Sequence, residues 1–172
     1  MTFTPKMKID PIRLNFTLAK AKEGGVLSKS DITFLLDLED SEQIDRLFQA
    51  ACHLRTKHFG NEIFLYGFIY ASTYCRNDGR FCLFNQLRPG QDYDLRLEAK
   101  LKAHKRGMLI EEGLLCGVGE TANDIAEPMA VMHDLDAAQV RVMNFVPQPG
   151  TPMVNRTPLD SKKELLISAV MR

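Results

Sequence analysis

The order of apolar and polar positions divides the chain at about residue 60. Up to there the pattern is helical. Asp40 or Ser41 can cap a helix whose apolar positions Ile44, Leu47, Phe48, Ala51 and Leu54 recur at spacings of three and four. Gly60 stops it, a residue suited to a left-handed C-terminal position. Residues 1–60 thus read as an N-terminal helical segment, and 61–172 as a second unit with a different rhythm. Glu62 to Tyr70 (EIFLYGFIY) is an apolar, aromatic run without a helical stripe, which suits a strand buried on both faces. Polar loop residues Ser72 to Gly79 follow it. Beyond them the pattern alternates. Asp92 to Arg106 reads as a helix ended by Gly107, Met108 to Cys116 as a strand, and Thr121 caps a helix to about His133, with Ile125, Met129 and Met132 inward. Gln139 to Val146 reads as a strand, and Asp160 or Ser161 caps a last helix, Lys162 to Met171. Strands alternating with helices of this length imply parallel β-α units. The fold class expected is α/β, with function gathered at the C-terminal ends of the strands.

Composition narrows the function classes. The 172 residues suit one domain but are short for a complete (β/α)₈ barrel, which takes about 250. Lys plus Arg and Asp plus Glu both number 22, so no electrostatic footprint for nucleic acid or an acidic membrane is expected. No apolar run approaches the roughly 20 residues of a membrane span, and Met1 to Asp10 has no signal-peptide core, so a cytoplasmic location is expected. Four cysteines in such a chain point to free, catalytic or metal-binding thiols rather than a disulfide framework.

Three strings fall after strands. In Cys75-Arg76-Asn77-Asp78-Gly79-Arg80-Phe81-Cys82, two thiols on one loop can reach one metal centre. The alternative is two buried thiols packing as small hydrophobes. In Gly113 to Ala122 (GLLCGVGETA), Gly117 and Gly119 permit a tight turn before the helix capped by Thr121. The string also satisfies G-x-G-x-x-A, a dinucleotide-binding pattern. That nicotinamide reading needs an acid at the end of the next strand, where Asn144-Phe145-Val146-Pro147 stands instead. In Phe145 to Met153 (FVPQPGTPM), three prolines and a glycine make a stiff loop. Arg141 is the odd residue of its strand. It can hold a substrate carboxylate or, more commonly, reach solvent or a nearby acid.

Together the strings HFGNEIFLYGFIYASTYC, RFC, LRPGQDYDLRL, GLLCGVGET and VRVMNFVPQPGTPM resemble the biotin synthase-like branch of the radical S-adenosylmethionine (SAM) enzymes. Within it they resemble the methylornithine synthases, which open pyrrolysine biosynthesis. The resemblance implies a TIM-type (β/α) barrel, a [4Fe–4S] cluster, SAM and a small-molecule amino-acid substrate. In that family one electron cleaves cluster-bound SAM, and the resulting radical takes hydrogen from the substrate. Cys75 and Cys82 would be cluster ligands and Phe81 would contact the adenine. Gly117, Gly119 and Glu120 would shape the SAM pocket, and Arg141 would face the substrate. The family's C-x₃-C-x₂-C motif places its middle cysteine at position 79, where this chain has Gly79. In relatives several β-α units separate the Cys82-Leu83-Phe84-Asn85 stretch from the one beginning Leu87-Arg88-Pro89. Here they adjoin, as after an internal deletion near residues 85–87, and the text ends before the family's last strands. The expected architecture is therefore a partial barrel behind an N-terminal helical segment. Open sheet edges in such a barrel invite self-association. A catalytically inactive remnant or interaction module of the family is the alternative to an active enzyme.

Overall fold

A computed structural model of the protein describes residues 10–63 and 93–172. The first stretch holds three helices: α1 (Pro11–Lys22), α2 (Lys29–Leu36) and α3 (Ser41–Phe59). Their starts follow from short polar residues that meet unpaired helix N–H groups. The Asp10 carboxylate accepts from the Ile12 N–H at 2.9 Å, with Pro11 in the first turn. Ser28 and Asp31 form a reciprocal capping box for α2, and Asp40 caps α3. Gly60 ends α3 at φ 56°, the left-handed side of the backbone map that its sequence position suggests.

The second stretch runs α4 (Tyr93–His104), β1 (Glu111–Cys116), α5 (Ala122–Asp134), β2 (Gln139–Asn144) and α6 (Ser161–Val170). The strands pair in parallel, with Glu111 opposite Gln139 and Cys116 opposite Asn144. Both strands are shorter than their apolar runs suggest. Residues upstream of Gln139 are still leaving α5 through a turn, so Met108 and Leu109 find no partner there and stay exposed. At the other end the Gly117 turn takes β1 away. Only the Phe145 N–H follows the ladder, donating to the Cys116 carbonyl at 2.8 Å. The run Glu62 to Tyr70 and the Cys75 to Cys82 loop, with Phe81 and Gly79, lie outside the described residues save for Glu62 and Ile63, which are irregular.

Alternate strand residues face opposite sides. Leu114, Cys116 and Val142 turn toward α5 and pack with Ile125, Ala126, Met129 and Met132. Glu111, Gly113 and Leu115, with Arg141 and Met143 across the register, form the other face. Gly113 leaves room there: a Cβ on it would lie 2.8 Å from the Met143 methyl and 3.3 Å from Arg141 Cγ.

The N-terminal helices do not stand apart from the β-α unit. Leu14 and Leu18 of α1, Leu35 of α2, and Ile44, Leu47 and Ala50 of α3 share a core with Leu166 of α6. The neighbouring residues Leu36 and Ile167, both fully buried, turn instead into the core under β1 and α5. Thus α2 and α6 each contribute adjacent apolar residues to two cores. Lys163 of α6 also donates to the Leu36 carbonyl, an otherwise unmet acceptor at the end of α2.

Candidate functional site at the strand ends

The C-terminal ends of β1 and β2 carry the turn from Gly117 to Glu120. Gly117 has φ 88° and Gly119 φ 104°, conformations that a side chain resists. Space matters as well. A Cβ on Gly117 would lie 3.0 Å from the Leu159 nitrogen, and one on Gly119 would lie 2.7 Å from Arg156 Nη1.

The turn presents its N–H groups inward, and the chain's own Glu120 fills it. The carboxylate accepts from Gly117 at 2.7 Å, Val118 at 2.8 Å and Gly119 at 3.0 Å. Partial burial alone would raise the Glu120 carboxyl. The backbone bonds outweigh that and hold it below its ordinary value. The next residue caps α5: Thr121 and Asp124 exchange hydrogen bonds in a second capping box. Its charge-assisted bonds hold the Asp124 carboxyl low. A pyrophosphate seeking the Gly117 to Gly119 amides would have to displace Glu120, which argues against the nicotinamide reading. So does the end of β2, whose Asn144 is committed elsewhere.

Asn144 pins the following loop. Its Oδ1 accepts from the Leu159 N–H at 2.9 Å, while Nδ2 donates to the Leu159 carbonyl at 2.8 Å and to Glu164 Oε2 at 3.0 Å. The stiff stretch after Pro147 therefore returns to the strand end and lies against Gly117. Proline and glycine spacing marked that stretch as rigid, but gave no sign of this return. Arg156, on the same returning segment, is a site residue that sequence reasoning missed. Its only sequence-level signal is a cation between Pro152 and Pro158.

Arg141 lies on the face with Gly113 and Met143, the face that looks into a barrel. It forms an ion pair with Glu111, the first residue of β1, so its guanidinium reaches toward the N-terminal end of the strands. Cys116 lies on the opposite, helix-facing side and is 1 % exposed. Burial, and after it the Glu120 and Glu164 carboxylates, push its thiol up to about 11. It is thus a protonated packing group rather than a spare metal ligand. Among the described residues no group of three His, Cys, Asp or Glu side chains could hold a metal ion, and no helix is long and apolar enough to cross a membrane.

No protein-family model matches the chain. Individual relatives do. The 3-methylornithine synthase of Methanosarcina barkeri is 25% identical over 251 residues, covering 89% of this chain and 72% of the relative. Since 89% of 172 residues is about 153, about 98 of those 251 aligned positions face no residue of this chain. A biotin synthase of Streptomyces avermitilis is 34% identical over 80 residues, covering 46% of this chain and 21% of the relative. Among solved structures, a crystal structure of methylornithine synthase superposes with a TM-score of 0.80 at 24% identity, covering 91% of this chain and 75% of the other. The expected partial TIM-type barrel with parallel strands is therefore the fold of this chain. These similarities set the chain in the biotin synthase-like branch of the radical SAM proteins.

Proposed function

We propose that this chain descends from an amino-acid-rearranging radical SAM enzyme of the methylornithine synthase kind and does not itself complete the radical reaction. The observation that carries the reading is the donor set. A site-differentiated [4Fe–4S] cluster takes three thiolates. The family motif supplies two here, Cys75 and Cys82, with Gly79 between them. Glycine has no ligand atom. Cys116 cannot stand in: it packs among the helices beneath the sheet, protonated, on the face turned away from the barrel interior. Cys52 is on α3, in the N-terminal helical segment. The cluster does not fit the thiols available. The Gly117 to Glu120 turn keeps its shape, which supports a retained ligand pocket at the strand ends. The unmatched stretch in the alignment with the M. barkeri relative supports an internal deletion near residues 85–87.

The test is anaerobic reconstitution with iron and sulfide, followed by assay for bound iron and for 5′-deoxyadenosine released from SAM. Less than a full cluster per chain and no release above a protein-free control are expected. A four-iron complement with 5′-deoxyadenosine release overturns the reading. Gly79→Cys should raise the iron bound.

A second reading, an interaction module, draws on the barrel-side face, where Leu115 and Met143 remain 38% and 41% exposed. Self-association through that sheet should appear as a dimer on sizing chromatography. A monomer at high concentration sinks it.

A further inference from the structure

A cleft of about 440 Å³ opens beside the turn, between it and the segment returning from β2. Its walls include Gly119, Glu120, Asn155, Arg156, Thr157 and Asp160. The size lies within the range of small-molecule sites. Arg156 is its notable member. The guanidinium lies on the bare Cα of Gly119: Nη1, Cζ and Nη2 all fall within 3.6 Å of where a Cβ would stand. Among the described residues it makes no hydrogen bond or ion pair, so its planar set of donors is open to the cleft. The nearby carboxylates do not neutralise it. Glu120 is turned into the backbone of its own turn, and Asp160 caps α6 by accepting from the Lys162 N–H at 3.0 Å.

The charges select the ligand. An arginine fork matches a carboxylate in two parallel hydrogen bonds. Two acidic residues lining the same small cleft disfavour a multiply charged anion such as phosphate. They favour a positive group a few ångströms from the carboxylate, and each retains lone pairs for it. We propose that Arg156, seated on Gly119, binds the carboxylate of a zwitterionic α-amino-acid group whose ammonium faces Glu120 and Asp160. This rests on the amino-acid reading above, but not on a cluster. The amino-acid group can belong to a free amino acid or be carried on a nucleoside.

The experiment is calorimetric titration of the full purified chain, without added iron. The probes are L-methionine, S-adenosylhomocysteine, 5′-methylthioadenosine and inorganic phosphate. Binding of the first two, without methylthioadenosine or phosphate, is expected. Equal affinity for methionine and S-adenosylhomocysteine identifies a free amino acid, and binding of the latter alone a nucleoside-borne one. Arg156→Gln should weaken binding about 10-fold or more, the scale of a lost charged hydrogen bond, and Arg156→Lys by less. Gly119→Ala, whose methyl would displace the guanidinium, should weaken it similarly. Circular dichroism establishes that each variant is folded. Absence of binding by every probe, phosphate binding as tightly as methionine, or an unchanged affinity in Arg156→Gln overturns the proposal. Because iron and SAM cleavage play no part in these titrations, an active reconstituted enzyme would overturn the inactive reading and leave this site standing.

Discussion

Replacing Glu120 by glutamine removes the charge from the centre of the Gly117 turn while nearly keeping its volume. Three N–H groups donate to that carboxylate, at 2.7, 2.8 and 3.0 Å. Hydrogen bonds to a charged group contribute about 1.5–3 kcal/mol each when fully protected. Glu120 is half-buried and one side chain serves all three, so solvent screening reduces the sum to about 2–4 kcal/mol. Glutamine recovers little of it. One of its two terminal atoms becomes an NH₂ donor facing backbone donors. With urea m-values of about 1–3 kcal/mol per molar, the midpoint should fall by about 1–2 M at pH 7. The pH dependence is the sharper measure. The Glu120 carboxyl is held below its ordinary value in the folded chain. Its contribution is therefore complete above the unfolded value of about 4.3 and is lost as pH falls through the lower folded one. The stability gap between the wild-type chain and Glu120→Gln should narrow below about pH 4. A gap under 0.5 kcal/mol at pH 7 (about a third of a pK unit), or one unchanged at pH 3, would refute the assignment of Glu120 as the anion of the turn.

Two other outcomes follow from burial. Ile167→Ala empties a fully buried position under β1 and α5 and should cost about 3–4 kcal/mol in urea unfolding followed by circular dichroism. A loss below 1 kcal/mol would mean that the two cores do not meet at α6. With its thiol raised to about 11, Cys116 is about one part in a thousand thiolate at pH 8. An alkylating reagent should modify exposed Cys52 within minutes and Cys116 only after denaturation, as peptide mass spectrometry would reveal. Equal labelling in the folded chain would remove the argument against Cys116 as a ligand.

Much of this fold is legible locally. Asp40, Thr121 and Asp160 announce their helices because capping is a short-range event, settled within three residues. The inward set Ile125, Met129 and Met132 follows from helical spacing alone. The strand ends were overestimated, because a strand ends where its neighbour does and the neighbour is not written beside it. Arg141 illustrates the same limit. Its pairing with Glu111 depends on a register that only the folded sheet supplies. At the candidate site the glycines were visible as a motif. Glu120 filling the turn was not, since a carboxylate beside Gly-x-Gly can point either way. Arg156 was hidden by distance along the chain; it reaches Gly119 only because Asn144 folds the loop back.

The paired side chains of α2 and α6, one of each pair in either core, bear on how such a chain tolerates loss. A closed barrel shares its cohesion among all its strands, so each is needed by its neighbours. Here the two helices act as rivets through two layers, tying the leading helices to a single β-α-β unit without reference to strands elsewhere. A lineage that acquires such rivets can shed barrel staves and still leave a folded product. The catalytic requirement for three thiols can then lapse while the body that once served it persists as material for another use.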